Sequence, residues 1–424
     1  MPTRYILVIG TFLISLLLYI DRTCIQVAGD AIKADLGLND KQFGWILSIF
    51  TLGYALAQTP SGTIADKFGP RGLLAGVVAL WSALTAATAA GFNLVSMLII
   101  RFLFGASEAG AFPGMARATL SWFPTKERGL VTGINFSASR LGGAIALPMM
   151  VWLIAAAGWR GAFVILGVLG ILFAVAWWYL FRNTPEEHPA VSDDERAYIL
   201  ENRQKVASSS SEQKTGFKQI VQNKQVILLM TQYFCSNFTF FFCLSWLFKH
   251  VKTTYELTAT NAGFLAALPL LGGAAGNWFS GWLVDWLFKH YGLQISRRIP
   301  AIVGFVLATG GLLISLQMST ALPAVICLTI AVFGADMTLS PSWSTCVDVG
   351  GKNSGAVSGT MNMAGNFGSF ATSLAFPYML AWAGTSTPFF FLAAGLNALA
   401  VLVWLCINPA SPLESVNNQS GSSL

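Results

Sequence analysis

The chemically informative residues of this sequence are charged side chains inside long apolar runs. Asp21 and Arg22 are adjacent in the first run, and Arg101 and Glu108 stand seven residues apart in another. Arg140 lies well inside a further run. An ionised side chain in the middle of a membrane helix costs about 2.5–3.5 kcal/mol, so such residues are functional candidates by default.

The spacing of these charges limits what each can contact. Neighbouring helical residues diverge by about 100°, so Asp21 and Arg22 cannot face the same way. Either one faces a cavity while the other engages a neighbouring helix, or they form a mutually neutralising structural pair. Arg101 and Glu108 share one helix face. Burial and a nearby arginine act in opposite directions on the proton affinity of Glu108, which suits proton-coupled transport. A buried Arg–Glu clamp without proton transport is the alternative.

Arg140 has no acidic residue within one helical turn. Its partner therefore comes from another helix or a ligand, unless its side chain snorkels to the interface.

Polar residues in other runs indicate a ligand with several hydroxyl groups. Trp343 could stack on a sugar-like face, and amides and hydroxyls each offer a donor or an acceptor. Interhelical hydrogen bonding is the alternative for any single amide. These polar residues are Gln232, Asn237, Ser340, Ser342, Asn362 and Asn366.

The composition indicates a membrane protein. The 424 residues are 54% hydrophobic and 10% charged, whereas soluble domains carry about 25% charged residues. The net charge of +6 does not indicate nucleic-acid binding, because the basic residues lie in short loops between apolar runs. There is no glycine-rich phosphate loop and no His/Cys/Asp cluster with metal spacing. The sequence therefore predicts no cofactor, no metal site and no enzyme.

Twelve apolar runs are long enough to cross a membrane as helices, for which about 20 residues are needed. The sequence thus predicts an all-α membrane protein with twelve transmembrane helices, six on either side of a hydrophilic linker. The runs are 5–28, 41–64, 72–91, 93–117, 131–157, 159–182, 225–250, 259–286, 299–317, 322–347, 355–382 and 387–408.

The linker and the loop charges predict the domain organisation. We expect an N-terminal six-helix bundle over 1–182, a cytoplasmic linker over 183–224 with a short helix near 192–206, and a C-terminal bundle over 225–408. The Ser/Asn-rich tail over 409–424 is expected to be disordered and cytoplasmic. Most of the 25 lysines and arginines lie on the side of the N-terminus, which predicts that both termini are cytoplasmic.

A short motif recurs at matching places in the two halves. Ser-Gly-x-x-x-Asp ends at Asp66 after the second run and at Asp285 after the eighth. The first copy, Gly62-x-x-x-Asp66-Lys-x-Gly-x-Arg71, resembles the loop motif of the major facilitator superfamily between helices 2 and 3. The second copy lacks the basic end. The resemblance implies two six-helix bundles around a central cavity, and a gating role without substrate contact for Gly62, Asp66, Arg71 and Asp285.

Three further motifs together resemble the anion:cation symporter family, which includes bacterial galactonate, glucarate and hexuronate transporters. They are Tyr-x-Asp21-Arg22, Arg101-Phe-x-x-Gly-x-x-Glu108-Ala and Trp122-Phe-Pro-x-x-Glu-Arg-Gly. The resemblance implies that Arg22 binds the substrate carboxylate, that Asp21 and Glu108 carry protons, and that Arg101 tunes Glu108. It also implies that Tyr54 assists Arg22 and that Arg140 could set specificity. The polar substrate contacts implied are Ser139, Ser340, Ser342, Trp343 and Asn362.

These observations predict a proton-coupled symporter that imports a small organic anion by alternating access. A sugar acid of the galactonate, glucarate or hexuronate type is the expected substrate, and a non-sugar carboxylate such as tartrate or phthalate is the alternative. The expected partners are the anion, protons and the lipid bilayer, with no nucleic acid. We expect a monomer that crosses the bacterial inner membrane many times.

Overall fold

The structure is a computed structural model that describes residues 2–123, 128–202, 217–350 and 354–411. Some side chains within these ranges, including those of residues 59–60 and 62–68, lie outside the description. The predicted gating residues Gly62 and Asp66 are among them. The described residues form fifteen α-helices and a short 3-10 helix, Pro185–Glu187. The α-helices are α1 (Thr3–Leu36), α2 (Asp40–Thr88), α3 (Leu94–Glu108), α4 (Ala111–Trp122), α5 (Arg128–Leu180), α6 (Asp193–Asn202), α7 (Phe217–Gln222), α8 (Lys224–Ser245), α9 (Leu247–Thr254), α10 (Ala259–Tyr291), α11 (Leu293–Ser315), α12 (Ala321–Met337), α13 (Leu339–Gly350), α14 (Ser354–Ala383) and α15 (Thr387–Cys406).

Two long helices each contain two of the predicted spans. α2 turns at Gly69 (φ 71°, ψ 164°) and α5 turns at Gly158 (φ 69°, ψ 170°). A positive φ strains other residues but not glycine, so each glycine permits a sharp bend between two predicted spans. The second and third spans thus lie in α2, and the fifth and sixth in α5.

Three other spans are each built from two helices. The fourth span is α3 with α4, the seventh is α8 with α9, and the tenth is α12 with α13. The remaining spans are single helices, so each predicted run coincides with helical structure. By length and composition, nine helical segments of the described chain could cross a membrane, and one of them, Gly133–Leu180, is long enough to cross twice.

Polar residues fix where two of the helices begin. Asn39 accepts a hydrogen bond from the backbone N–H of Gln42, whose side chain accepts one from the backbone of Asn39. Asn93 and Ser96 make the same reciprocal pair at the start of α3. Such capping boxes satisfy N–H groups that have no partner within the helix. The capping boxes therefore fix the residues at which α2 and α3 begin.

The chain divides into two compact units. Unit 1 comprises Met1–Val206 and Leu244–Leu270, and unit 2 comprises Ala207–Cys243 and Leu271–Leu424. The linker helix predicted near 192–206 is present as α6. The expected division into an N-terminal bundle, a linker and a C-terminal bundle stays a prediction.

Ion pairs within unit 1 tie α9 to the ends of α1 and α2. Lys249 contacts Asp40, which also pairs with Lys33 at 2.7 Å, and Lys252 pairs with Asp30 at 2.9 Å. Partial burial alone would raise the pKa of Asp40. Hydrogen bonds from Lys249 and Lys33 outweigh that effect and hold the pKa below its ordinary value. These pairs connect the segment Leu244–Leu270 to α1 and α2 within unit 1.

The linker also contacts the start of the first helix. Glu195 of α6 accepts hydrogen bonds from the backbone N–H groups of Thr3 at 2.8 Å and Arg4 at 3.0 Å. A carboxylate at a helix N-terminus satisfies unpaired donors and interacts favourably with the helix dipole. α6 therefore fixes the end of the helix that carries Asp21 and Arg22.

Candidate functional site

Two glycines allow α2 and α3 to cross backbone to backbone. A Cβ atom on Gly105 would lie 2.0 Å from the carbonyl oxygen of Phe50, and one on Gly53 would lie 2.2 Å from that of Phe102. No side chain fits at either position. Small residues permit this close approach between membrane helices. The crossing places Phe50 and Tyr54 of α2 beside the charged residues of α3.

Arg22 lies in a buried cage of aromatic rings and one carboxylate. Its Nε donates to Glu108 Oε2 at 2.6 Å. Its guanidinium carbon lies 5.0, 5.2 and 4.6 Å from the ring centroids of Tyr19, Phe50 and Tyr54. Within the described residues, Arg22 Nη2 and Glu108 Oε1 have no hydrogen-bond partner. The cage therefore holds a buried cation with one donor group unused.

Arg101 shares an aromatic ring with Arg22 but makes no salt bridge to Glu108 in the described part of the chain. Its guanidinium carbon lies 5.2 Å from the Phe50 ring and 4.3 Å from the Phe104 ring. Seven helical residues advance by about 10 Å along the axis, so a residue pair on one face can still be too distant for direct contact. The salt bridge of Glu108 is to α1, and Arg101 acts on Glu108 at longer range.

Asp21 faces away from Arg22, as the angle between neighbouring helical residues predicts. It is 1% exposed, and its Oδ2 accepts a hydrogen bond from Thr85 Oγ1 at 3.3 Å. No salt bridge joins Asp21 to Arg22 in the residues described. Asp21 thus contacts the third span, while Arg22 contacts the fourth.

Ser139 and Arg140 are buried in α5. Arg140 Nη1 lies 3.4 Å from Ser139 Oγ, and Ser139 donates to the carbonyl oxygen of Phe136 at 2.6 Å. Arg140 is only 5% exposed. Its side chain is enclosed by protein, which disfavours the snorkelling alternative. Among the residues of unit 1 whose burial is described, three arginines are buried, at positions 22, 101 and 140.

Unit 2 contains a hydrogen-bonded group of amides, hydroxyls and aromatic rings. Gln232 Oε1 accepts hydrogen bonds from Ser342 Oγ at 3.2 Å and from Trp404 Nε1 at 3.3 Å. Trp343 Nε1 donates to the Tyr233 hydroxyl at 3.2 Å, and their rings are perpendicular. Sequence reasoning missed Tyr233, because a tyrosine in an apolar run gives no signal that separates it from core residues.

Three other predicted contacts of unit 2 are half-buried. Asn237 donates to the backbone carbonyl of Tyr233 at 2.9 Å, so its amide is bonded within its own helix. The carbonyl oxygen of Asn362 accepts from the Asn366 side chain at 3.1 Å. Ser340 stands near the start of α13. The substrate-binding roles of these residues stay predictions.

The break in the tenth span has a specific cause. Pro341 has no N–H, so the carbonyl of Met337, four residues earlier, loses its helical donor. Ser280 of α10 donates its hydroxyl hydrogen to that carbonyl oxygen. This is the serine of the second Ser-Gly-x-x-x-Asp motif. The motif therefore has a structural contact in unit 2 that sequence alone did not reveal.

Arg71 joins the start of the third span to the end of the sixth. Its Nε and Nη2 donate to the carbonyl oxygen of Trp178 at 2.9 and 2.7 Å, and its backbone N–H donates to Asn183 Oδ1 at 2.9 Å. Asp285 is exposed near the end of α10. The gating roles of Arg71 and Asp285 stay predictions.

Comparisons with known proteins give the family. A model described as Major Facilitator Superfamily matches residues 11–373. The probable sulfoacetate transporter SauU of Cupriavidus necator is 30% identical over 99% of this chain and 97% of its own length. The probable galactarate/D-glucarate transporter GudP of Bacillus subtilis is 32% identical over 94% of this chain and 90% of its own length.

A solved structure agrees with the fold. A bacterial homologue of the human lysosomal transporter Spinster, in an inward-facing and occupied conformation, has a TM-score of 0.72 and 18% identity. The match covers 96% of this chain and 95% of that one. The predicted all-α membrane fold and the resemblance to sugar-acid transporters are confirmed. The protein is a multi-pass membrane transporter and not an enzyme, and the chain belongs to the Major Facilitator Superfamily.

Proposed function

We propose that this protein is a proton-coupled symporter that imports a small organic anion, with a sugar acid as its substrate, by alternating access. The observation that carries the proposal is the buried Arg22 cage. Arg22 has one carboxylate partner, Glu108, and an unused donor at Nη2. A permanently charged guanidinium with a free donor is suited to bind a carboxylate.

The Arg22–Glu108 pair links anion binding to proton uptake. If Glu108 takes up a proton, Arg22 loses its counter-ion while it remains buried. An uncompensated buried charge costs about 3–5 kcal/mol, so the vacancy favours an incoming carboxylate. Conversely, a bound carboxylate repels an ionised Glu108 and favours its protonation. This reciprocity is what coupled binding requires.

Asp21 is the second acid in the proposed proton pathway. It is buried beside α2 and is repelled by Glu108. Two carboxylates that repel each other in a buried site are not readily ionised together. Loading of protons on Asp21 and Glu108 removes both negative charges before the carrier reorients. Release on the cytoplasmic side then restores them.

The relatives support an acidic substrate. Two are named as transporters of galactarate/D-glucarate and of sulfoacetate, and each of these compounds carries two acid groups. Arg140 would meet the second acid group if the substrate of this protein has two. The sulfoacetate relative keeps a non-sugar anion as the second candidate substrate, in place of the sugar acid.

The membrane and orientation are part of the same proposal. The positive charge in loops on the N-terminal side supports cytoplasmic termini. The named relatives are bacterial, which supports the inner membrane. We infer that the functional form is a monomer in lipid with no nucleic-acid partner.

Uptake into proteoliposomes tests the proposal. The radiolabelled acids would be galactonate, glucarate, glucuronate, tartrate, phthalate and sulfoacetate, each with an inward proton gradient and with the gradient collapsed by a protonophore. We expect a sugar acid to accumulate only with the gradient. Equal uptake with and without the gradient would reject proton coupling. Accumulation of sulfoacetate or phthalate alone would replace the sugar acid by the second candidate.

Variants at Arg140 refine the substrate class. Arg140→Ala should weaken binding of glucarate, which has two acid groups, about 10- to 100-fold if Arg140 binds the second group. Binding of galactonate, which has one, should change much less. Equal losses for both acids would indicate a structural role for Arg140 instead.

A further inference from the structure

Two residues of the third span form a polar cradle around Asp21. Thr85 Oγ1 donates to Asp21 Oδ2 at 3.3 Å. The indole of Trp81, one turn earlier in α2, lies beside the same carboxyl group. Among the described residues, Trp81 Nε1 has no aligned acceptor and Asp21 Oδ1 has no donor. All three residues are at most 1% exposed. Buried polar atoms without partners are rare, so this arrangement requires an explanation.

The hydroxyl group of Thr85 has two acceptors but only one hydrogen. It lies 3.3 Å from Asp21 Oδ2 and 3.1 Å from the carbonyl oxygen of Trp81. A threonine in a helix commonly bonds to the carbonyl four residues earlier. A hydrogen bond to an ionised acceptor is roughly twice as strong as one to a neutral acceptor. The direction in which the hydroxyl points therefore depends on the charge of Asp21.

The other groups that act on Asp21 are charged or titratable. Glu108 and Arg101 act from α3 with opposite signs, and the Cys24 thiol lies one turn away on α1. The two α2 residues that act on this carboxyl group, Thr85 and Trp81, are neutral donors. α2 thus responds to the charge of Asp21 without titrating itself.

We propose that Thr85 and Trp81, here named the α2 cradle, are positioning residues that hold ionised Asp21 and set the pH at which it takes up a proton. While Asp21 is ionised, Thr85 donates to Oδ2, and the Trp81 N–H is a second donor for the same carboxylate. When Asp21 gains a proton, the Thr85 hydroxyl turns to the Trp81 carbonyl. Thr85 and Trp81 keep their own hydrogens throughout. The inference rests on the proposed proton coupling. It assigns the third span as the element whose hydrogen bonds change with the protonation of Asp21.

Infrared difference spectroscopy on the purified full-length protein tests the cradle without any substrate. A pH titration follows the C=O stretch of protonated carboxyl groups, and Asp21→Asn identifies the part that belongs to Asp21. In Thr85→Val the midpoint of that part should lie about one pH unit higher, because the ionised carboxylate loses a donor. Thr85→Ser should restore the wild-type midpoint, and Trp81→Phe should raise it. Thr88→Val is the matched control, because within the described residues the Thr88 hydroxyl bonds to the carbonyl oxygen of Leu84 at 3.0 Å and not to Asp21.

The infrared results test whether the α2 cradle sets the protonation of Asp21, and they do so independently of the transport proposal. A wild-type midpoint in Thr85→Val, an equal rise in Thr88→Val, or no band lost in Asp21→Asn would each overturn the cradle. The uptake experiment with a collapsed gradient decides proton coupling independently. If wild-type uptake ignores the gradient while Thr85→Val raises the infrared midpoint, the cradle stands as a structural property and the proposed function fails.

Discussion

Replacing Arg22 by lysine should weaken anion binding even though the positive charge is kept. In the structure, Nε is occupied by Glu108 at 2.6 Å, and Nη2 is the donor left for a ligand. A lysine ammonium is a single nitrogen on a flexible chain and cannot fill both positions. The loss of one charged hydrogen bond costs about 1.5–3 kcal/mol, which corresponds to a Kd about 10- to 100-fold higher. The loss of contact with the Tyr54 ring, 4.6 Å from the guanidinium, adds to it.

Titration of the purified protein measures this effect. Isothermal calorimetry or tryptophan fluorescence at fixed pH would give the Kd for the acid that the uptake panel identifies. Arg182→Lys is the matched control, because the Arg182 side chain donates to nearby carbonyl oxygens, those of Tyr179 and Phe181. The control should bind like wild type. A Kd for Arg22→Lys within about twofold of wild type, less than 0.5 kcal/mol, would refute Arg22 as the anion site.

Three further perturbations test other parts of the account. Glu108→Gln should abolish proton-driven accumulation but keep exchange of labelled substrate, since the amide cannot take up a proton. Accumulation at the wild-type rate would reject Glu108 as a proton-carrying residue. Gly105→Ala should lower the melting temperature in detergent, because its Cβ atom would lie 2.0 Å from a backbone oxygen. Gly76→Ala is the control and should leave the melting temperature unchanged, because its Cβ atom would meet nothing within 4 Å. Equal melting temperatures for the two variants would argue against the close helix crossing. Lys249→Met should cost about 0.2–1 kcal/mol of stability at neutral pH, the range for exposed ion pairs. Asp40 must be ionised to pair, so this contribution is present above its ordinary pKa of 3.8 and is lost as pH falls through the lowered value in the folded protein. The melting temperatures of wild type and Lys249→Met should therefore converge in acid, and a gap that persists there would contradict the assignment.

The helical architecture followed from the sequence because apolar runs of membrane length have few alternatives. The runs also divided α2 and α5 into two spans each and left only residue 158 between the two spans of α5. They did not show that Gly69 and Gly158 make the bends by adopting a positive φ. At Gly69 and Gly158 the helix is interrupted by a single glycine with a positive φ. Their role depends on backbone angles, which a glycine in a sequence permits but does not specify.

The charged residues of unit 1 could be named from the sequence, whereas their partners could not. Arg22 and Glu108 are separated by 86 positions, and their contact depends on how α1 packs beside α3. The spacing of Arg101 and Glu108 left a direct clamp open as the alternative to proton coupling, but in the described structure the salt bridge of Glu108 is to Arg22. Phe50, which lies between both arginines, carries no signal in an apolar run. The close packing of α2 and α3 at their glycines determines which residues lie beside Arg22 and Arg101.

Proline and serine in the tenth span show the same division. Pro341 removes a backbone donor from the helix, and the need for a substitute donor follows from the residue type alone. Nothing in the sequence identified Ser280 as the group that satisfies the freed carbonyl of Met337. A local chemical need is visible in sequence, while the distant residue that meets it is fixed by tertiary structure.

The most direct test of the central claim is proton movement driven by the anion itself. Proteoliposomes would contain a trapped pH-sensitive dye, with equal pH on both sides, and D-glucarate would be added outside while its uptake is followed by radiolabel. We expect glucarate to enter and the interior to acidify in proportion, and we expect Glu108→Gln vesicles not to acidify. Uptake of glucarate with an unchanged internal pH would contradict proton-coupled transport of the anion.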